Sequence, residues 1–351
     1  MAKQADVERA PLSLYRKYRP QGFKDVRGQE QVVSVLEAAI KNNKIAHAYL
    51  FAGGRGTGKT SMARILAHAL GTAEEDIYEM DAASNRGIDE IRALREGVAT
   101  LPFNSAYKFY IIDEAHALTK DAWGALLKTL EEPPDHAIFV LATTELDKVP
   151  ETIISRCQVF GFTNPTQDIL KKLVQDVAKK EGATMEPTAA ELIALMGEGS
   201  FRDTLGILQK VLTLSSDEKL TEEEVAKVIG APRSETVNEF LEMLALKDAG
   251  AAVATFHKAL KGGASAQVFI MLAITKVRGV LLLRFQPKVE TELLEQFGED
   301  DLLYLKDLAG TKGAAINAEV LAQLITAYLE TARAPIAEIP LELALYRLFP
   351  Q

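Results

Sequence analysis

The chain has 351 residues, of which 48% are hydrophobic and 25% charged, with a net charge of −9 and one cysteine, Cys157. This composition is typical of a soluble protein with about two or three domains, and its negative charge excludes a general electrostatic attraction to nucleic acid. A single cysteine excludes an intrachain disulfide and a cysteine-rich metal site. The amino-terminal residues lack the apolar core of a signal peptide, and the longest apolar run, Val268–Ile274, is too short to span a membrane. We therefore expect a cytoplasmic protein with no membrane partner.

From residue 12 to residue 163, short apolar runs alternate with stretches of helical periodicity. Each run is short enough for one strand, and most are separated by enough residues for a crossover helix, which predicts a mostly parallel sheet covered on both faces. The predicted strands are His47–Ala52, Ile77–Asp81, Lys108–Asp113, Ile138–Thr143 and Val159–Phe162. The predicted helices of this part are Gln29–Asn42, Ser61–Leu70, Ile88–Gly97 and Ala122–Glu131.

A glycine-rich segment, Gly-Gly-Arg-Gly-Thr-Gly-Lys-Thr at Gly53–Thr60, stands between the first strand and the next helix. Glycines let consecutive backbone N–H groups converge on phosphate oxygens, and the helix start adds the positive end of its dipole. Lys59 can reach the β and γ phosphates, and the Thr60 hydroxyl can bind Mg²⁺. The segment predicts a nucleoside triphosphate site formed by Gly53, Gly54, Gly56, Thr57, Gly58, Lys59, Thr60 and Ser61.

Two carboxylates follow the apolar residues Phe109–Ile112, at the carboxyl end of a predicted strand. Open α/β sheets bind their ligands at this edge. Asp113 can hold Mg²⁺, and Glu114 can orient and deprotonate an attacking water, so the pair favours hydrolysis over binding alone. Thr144, at the end of the next strand, is a candidate sensor of the γ-phosphate, although an ordinary strand end explains a threonine there equally well.

Two arginines stand at positions from which they could act on a phosphate. Arg156 lies just before the last predicted strand, and Arg202 lies at the start of a predicted helix. Arginine stabilises the charge on a transferring phosphoryl group, either in cis or across a subunit interface, but a lone arginine is usually a surface ion-pair partner. Cys157 is better explained as a small residue at a strand start than as a nucleophile, because no partner base is evident.

Beyond residue 166 the sequence has no further β-like run. The predicted helices are Gln167–Lys180, Thr188–Met196, Phe201–Leu214 and Glu222–Val228, followed after Gly230–Pro232 by helical periodicity to the carboxyl terminus. An apolar stripe there contains Ile316, Val320, Leu324, Leu321, Ile325 and Tyr328. The sequence thus predicts three domains: an α/β domain at 1–164, a small helical domain at 165–229 and a larger helical domain at 230–351.

Several segments resemble the AAA+ ATPases of the clamp-loader type, and most closely the bacterial gamma/tau subunits of DNA polymerase III. The segments that carry this resemblance are Tyr15–Pro20, Gly28–Glu30, Leu126–Pro134, Leu141–Thr144 and Pro150–Cys157. The likeness is strong over residues 12–215 and architectural from residue 230 onward. It implies a P-loop (AAA+) domain with a mostly parallel sheet, a helical lid domain and an all-helical collar domain.

The resemblance also implies roles for single residues, with ATP and Mg²⁺ as cofactors. Gly53, Gly58, Lys59 and Thr60 match the phosphate and magnesium binders, and Asp113 and Glu114 match the hydrolytic acidic pair. Thr144 matches the first sensor, and Arg202 matches the second sensor, which contacts the γ-phosphate from the lid. Arg156 matches an arginine finger that serves the ATP of the neighbouring subunit. The residues implied to lie near the adenine are Arg19, Pro20 and Val26.

The partners implied by the resemblance are delta-type and delta-prime-type subunits, further copies of the chain in a pentamer, a sliding clamp and primer–template DNA. Clamp contact is expected near Ala93–Phe103. Family members usually carry a four-cysteine zinc module after the first helix of the sheet domain. Here Leu70–Asp76 leads directly into Ile77 without a cysteine, so no zinc is expected. The long extension that distinguishes tau is also missing, and we expect the chain to end with the collar.

The acidic composition favours DNA contacts through helix starts and a few side chains. The candidates are Ser84 and Arg86 before one predicted helix and Thr152 before another. For Arg86, a solvated loop arginine is an equally good explanation.

Two other functions remain possible from the sequence. A related AAA+ DNA motor, such as a branch-migration helicase, should carry a winged-helix module near its carboxyl terminus, where this chain shows only helical periodicity. A clamp-loader subunit that acts only as a scaffold commonly has a degraded phosphate loop, whereas Lys59, Thr60, Asp113 and Glu114 are all present here.

Overall fold

The structure is a computed structural model that describes residues 12–215, 219–286, 289–311 and 315–350, without the side chains at 291, 292, 295, 296 and 298–300. Its residues form two compact units. The first contains the described residues up to Leu173 together with Gly197–Gly206, and the second contains Val174–Met196 and the described residues from Ile207 onward. The division into three domains inferred from the sequence stays a prediction.

A five-stranded parallel sheet forms the centre of the first unit. Its strands are β1 (Ala48–Gly53), β2 (Ile77–Asp81), β3 (Lys108–Asp113), β4 (Ala137–Thr143) and β5 (Gln158–Phe162). All five predicted strands are present, with ends shifted by a residue at most. They lie in the order β2-β3-β4-β1-β5, and every neighbouring pair is parallel, so the strands need crossover connections. The predicted α/β P-loop class is therefore confirmed.

Helices cover both faces of this sheet, because successive strand residues point to opposite sides. The helices of this unit are α1 (Leu14–Lys17), α2 (Glu30–Lys41), α3 (Lys59–Ala69), α4 (Ile88–Val98), α5 (Lys120–Glu131) and α6 (Glu151–Ile154). On one face, Tyr49 and Phe51 pack with helices α2 and α3, and on the other, Leu50 packs with helices α4, α5 and α6. The four predicted helices are present, and the helix after the phosphate loop begins at Lys59, two residues earlier than predicted.

The chain continues with α7 (Gln167–Lys180) and α9 (Phe201–Leu214), each of which contributes residues to both units. The other helices of the second unit are α8 (Pro187–Met196), α10 (Glu222–Ile229), α11 (Ser234–Ala245), α12 (Ala249–Lys261), α13 (Ala266–Phe285), α14 (Glu290–Gly310), α15 (Ala318–Thr331) and α16 (Ile339–Leu348). A cluster of buried side chains that includes Phe240, Phe269 and Leu324 joins α11 to α16. The helical character of this region is therefore confirmed.

Two sequence predictions for the second unit need correction. A short parallel strand pair, β6 (Thr184–Met185) with β7 (Lys219–Leu220), occurs where no strand was expected, because two residues are too few to show a period in the sequence. The apolar stripe is narrower than predicted. Ile316, Val320 and Leu324 are buried, but Ile325 is 43% exposed, since it lies one residue to the side of the line that faces the core.

Helix α13 is long and apolar enough, by length and composition alone, to cross a membrane. Half of its residues are buried within the second unit, where it packs against α14 and α15. Its buried residues include Lys276, which pairs with Asp301 on α14 at 2.8 Å. A core helix of a helical domain has these same properties, and we interpret α13 as one.

Candidate active site

The phosphate loop requires glycine at the positions where its backbone passes close to other elements. Gly53, Gly56 and Gly58 have positive φ angles of 155°, 69° and 100°. A Cβ atom on Gly53 would lie 2.3 Å from the carbonyl oxygen of Phe162, and one on Gly56 would lie 2.0 Å from Oγ of Ser200. The backbone N–H of Phe201 donates to the carbonyl of Gly56 at 3.0 Å. The loop is thus held between β5 and the start of α9, in a backbone conformation that glycine adopts more easily than other residues.

Lys59 is buried, with 5% of its surface exposed, at the first position of α3. Its ammonium group donates to the carbonyl oxygens of Gly53 at 2.8 Å and Gly54 at 2.7 Å. Burial lowers the pKa of this amine, and the charges of Glu114 and Asp113 oppose that change. No carboxylate among the described residues lies within ion-pair distance of it. A buried cation without a paired anion, next to the free N–H groups of a helix start, is suited to bind phosphate.

The Thr60 hydroxyl donates to Oδ2 of Asp113 at 2.7 Å, which joins the start of α3 to the end of β3. The other oxygen of the same carboxylate, Oδ1, accepts the backbone N–H of Glu114 at 2.9 Å. These contacts bring together the two side chains that the sequence predicted as magnesium ligands. Oxygen donors of this kind are the ligands that Mg²⁺ prefers.

Glu114 has a left-handed backbone, with φ 47° and ψ 43°, which is uncommon for a residue other than glycine and occurs often at functional sites. Its Oε2 accepts a hydrogen bond from Oγ1 of Thr144 at 3.2 Å, so the predicted base and the predicted first sensor are in contact. His116 Nδ1 lies 3.5 Å from the same oxygen. His116 was not predicted from the sequence. Its place three residues after Asp113, in the turn that follows the strand, was the available signal.

Arg202 adds positive charge near Lys59, and Arg19 lies within electrostatic reach of Arg202 and Asp113. Arg19 is half-buried; burial lowers the pKa of its guanidinium, and the charge of Arg202 acts in the same direction. Arg202 also lowers the pKa of Lys59, and its guanidinium lies 5.9 Å from the ring centre of Tyr15. The fold thus gathers three predicted nucleotide ligands from distant parts of the sequence. Tyr15 and Ser200, which help to place them, were not predicted.

The other predicted nucleotide contacts lie in the same unit. Thr57 is buried, and its hydroxyl donates to the carbonyl of Gly54 at 2.9 Å, which closes the loop. Ser61 is partly buried in α3. Pro20 is half-buried, and Val26 packs against the apolar cluster on the α2 side of the sheet. The placement of Pro20 and Val26 near an adenine stays a prediction.

Arg156 follows α6 and is held by contacts to α5 and α6. Its guanidinium pairs with Oε1 of Glu131 at 2.7 Å and donates to the carbonyl of Thr152 at 2.8 Å. Its role toward a neighbouring subunit stays a prediction. The next residue, Cys157, is half-buried, and burial raises the pKa of its thiol to about 12. This supports a structural role for the cysteine, because the thiolate is the reactive form.

The residues predicted to contact DNA are accessible. Ser84 donates to Oδ2 of Asp81 at 3.0 Å, and Arg86 is exposed just before α4, whose first turn contains two carboxylates. Thr152 is exposed on α6, which has four residues, and its carbonyl accepts from Arg156. The acidic first turn of α4 opposes phosphate binding at that helix start, so a DNA contact there would depend on Arg86. All three contacts stay predictions.

The chain is similar to known proteins in sequence and in fold. A family model described as DNA polymerase III, delta subunit, matches residues 28–86 and 72–166. The chain is 39% identical over 299 residues to the tau subunit of DNA polymerase III from Bacillus subtilis, covering 79% of this chain and 53% of that protein. It is 33% identical over 351 residues to the gamma/tau subunit from Mycobacterium tuberculosis, covering 93% of this chain and 59% of that protein. The chain thus spans little more than half the length of these relatives.

A shorter relative is covered more fully. The gamma subunit of DNA polymerase III from Buchnera aphidicola subsp. Schizaphis graminum is 30% identical over 310 residues, which are 82% of this chain and 85% of that protein. Among solved structures, the Holliday junction branch migration motor RuvB of Thermotoga maritima is similar with a TM-score of 0.52 and 24% identity, over 65% of this chain and 79% of that one. That likeness shows the fold alone. On the sequence comparisons, the chain belongs to the family of DNA polymerase III gamma/tau subunits.

Proposed function

We propose that the chain is an ATPase subunit of a DNA polymerase III clamp loader, in which ATP binding and hydrolysis drive the opening of a sliding clamp and its loading onto primed DNA. The observation that carries the proposal is the contact between Thr60 and Asp113 beside the unpaired Lys59 and the base Glu114. A subunit that only served as a scaffold would have no need of this arrangement.

The residues present fit ATP and Mg²⁺. Lys59 and the backbone of Gly53–Thr60 would bind the phosphates, and Oγ1 of Thr60 with Oδ2 of Asp113, 2.7 Å apart, would hold the metal. Bound Mg²⁺ neutralises charge on the phosphate oxygens. Glu114 accepts the proton of the attacking water, while its contact with Thr144 fixes the carboxylate.

Substitution of the proposed base tests this function. Glu114→Gln should lower kcat for clamp- and primer-stimulated ATP hydrolysis by about 10²- to 10⁴-fold, because the amide cannot accept the proton, while ATP affinity changes little. Glu37→Gln, on the exposed face of α2, is the matched control. Hydrolysis by the unaltered protein that is indifferent to clamp and DNA would favour a DNA motor, and no hydrolysis would favour a scaffold.

Arg156 is proposed to act on the nucleotide of a neighbouring subunit. Arg156→Ala should still bind ATP but should lose about 10³- to 10⁵-fold of stimulated turnover. Complexes that mix Arg156→Ala subunits with Glu114→Gln subunits should recover part of the activity, since an interface with both intact groups forms again. Normal turnover of the single variant, or no recovery on mixing, would contradict action in trans.

The proposed partners are delta-type and delta-prime-type subunits and copies of this chain in a pentamer. Residues 230–351 would act as the collar that joins the subunits, and the assembly would work in the cytoplasm. The sequence resemblance and the family relationship support this proposal. A mass measurement of the assembly with an ATP analogue, clamp and primed DNA would give its stoichiometry.

For the clamp, the proposed contact includes Leu101 and Phe103, which are 77% and 81% exposed. The buried carboxylate of Asp76 accepts the N–H groups of Phe103 at 2.6 Å and Asn104 at 2.9 Å, so this apolar segment is held in place. For primer–template DNA, the proposed contacts are Ser84, Arg86 and Thr152, which would bind the backbone rather than the bases.

A further inference from the structure

His116 contacts two carboxylates that belong to different elements. Its Nδ1 lies 3.5 Å from Oε2 of Glu114 and 3.1 Å from Oγ1 of Thr143, and its Nε2 lies 3.2 Å from Oε1 of Glu145. The side chain is 16% exposed, so the ring has little freedom to leave this position. His116 is therefore a direct link between the proposed base and the chain that follows β4.

The hydrogen-bonding chemistry of the ring gives its two nitrogens different roles. An ionised carboxylate can only accept a hydrogen bond, so the contact with Glu145 requires a hydrogen on Nε2. In the neutral ring Nδ1 then accepts the hydrogen of the Thr143 hydroxyl, while Oε2 of Glu114 lies against it at 3.5 Å. The backbone N–H of Glu145 also donates to Oγ1 of Thr143 at 3.0 Å. Both ring nitrogens are thus attached to the segment that contains Thr143 and Glu145, while one of them faces the base.

The chain from this segment to α6 is short and is fixed by contacts. Glu145 pairs with Lys148 at 2.6 Å, a single turn covers Leu146–Lys148, and Pro150 directly precedes α6. Val149 and Ile153 are buried in the same apolar cluster. Because these contacts fix the segment between Glu145 and α6, a displacement of α6 should also move Glu145.

We infer that His116 is a positioning residue that couples the Glu114 carboxylate to α6 through Glu145. This inference rests on the proposed function and adds a regulation to the same site. Contacts made at α6, which leads to Arg156, would change the position of Glu114 and thus the rate of hydrolysis at the nucleotide bound by this chain. Neighbouring ATP sites would then be linked within each subunit.

The test compares variants in the assembled complex, measuring ATP affinity, basal kcat and kcat stimulated by clamp and primer–template DNA. His116→Ala should lower stimulated kcat by about 10- to 100-fold with ATP affinity nearly unchanged, since misplacement of a reacting group by about 1 Å has effects of this size. His116→Asn keeps a polar group near Nδ1 that can bond with Thr143 but cannot reach Glu145. Its basal kcat should be higher than that of His116→Ala, but its kcat with clamp and primer–template DNA should stay low.

Glu145→Ala is the second variant, and its partly exposed position makes misfolding a small concern. It should lose the stimulation as His116→Ala does, and the double variant should lose no more than either single one, because both act in one pathway. His68→Ala removes a histidine–glutamate contact of the same 3.2 Å length elsewhere in the α/β unit and should leave every rate as it was.

The outcomes separate this inference from the proposed function. If the unaltered complex does not hydrolyse ATP, or if Glu114→Gln has no effect, the proposed function is wrong. If those results are as expected but His116→Ala and Glu145→Ala keep full stimulation, the coupling is wrong. Additive losses in the double variant, or full recovery by His116→Asn, would also overturn it.

Discussion

The two units each bury a lysine, and the two lysines are held in opposite ways. Lys59 in the α/β unit is 5% exposed, and Lys276 in the helical unit is 4% exposed. Burial lowers the pKa of both amines. Lys59 is bound by neutral carbonyl groups of the phosphate loop. Lys276 donates to Asp301 at 2.8 Å, and its remaining two bonds go to Ser234 at 2.6 Å and Asn238 at 2.7 Å.

The difference shows how a buried charge that stabilises the fold can be distinguished from one that is available to bind a ligand. Lys276 uses all three of its hydrogen-bond donors within the helical unit, and its charge is neutralised there, so it has nothing left to offer a ligand. Lys59 keeps a charge that no carboxylate in the described parts of the chain pairs with directly. Such a site is costly to maintain without a ligand and gains from an anion.

The largest expected effect is on the stability of the helical unit. Lys276→Met should destabilise it by about 3–5 kcal/mol, because Asp301 and its hydrogen-bond partners would be left without their cation. Hydrogen exchange of peptides from α11, α13 and α14 would measure this. Lys276→Met combined with Asp301→Leu should regain part of the loss. Unchanged exchange in the single variant would show that the pair contributes nothing.

Lys59→Met should have the opposite pattern. ATP affinity should fall by about 2–3 kcal/mol, which is about 30- to 150-fold, because a charge-assisted contact to phosphate is lost. Stability without nucleotide should be unchanged or higher, since the buried charge is removed. The fluorescence of Trp123, the only tryptophan of the chain, reports unfolding of the α/β unit. A strong destabilisation would mean that Lys59 supports the fold as Lys276 does.

A smaller effect is expected where the phosphate loop meets the start of α9. Gly56→Ala and Gly71→Ala each place a side chain at a positive φ, of 69° and 74°, which costs about 1–2 kcal/mol. Only the Cβ at position 56 would lie within 2.0 Å of Ser200, whereas nothing lies within 4 Å of the one at position 71. Gly56→Ala should therefore lower the free energy of unfolding of the α/β unit by about 1–2 kcal/mol more than Gly71→Ala does, measured by thermal unfolding followed through Trp123 fluorescence. Equal losses of stability in the two variants would show that Ser200 moves away from the added Cβ at little cost in free energy.

Much of the α/β unit could be predicted because its signals are local. Strand residues follow a period of two or a short apolar run, the glycines of Gly53–Thr60 mark the turn, and Asp113 and Glu114 directly follow a strand. The helical unit gave fewer local signals. Helical periodicity was visible there, but two-residue strands are too short to show a period, and the exposure of Ile325 depends on which line of its helix faces the core.

The sequence by itself determined the parallel sheet, the phosphate loop, the acidic pair and the family to which the chain belongs. The tertiary structure decided which side chains surround them. It brought Arg202 toward Lys59, Arg19 and Tyr15, placed His116 between Glu114 and Glu145, and paired Lys276 with Asp301. The physical reason is that local motifs set backbone conformation, whereas contacts between distant residues are fixed only when the core packs and each buried polar group must find a partner.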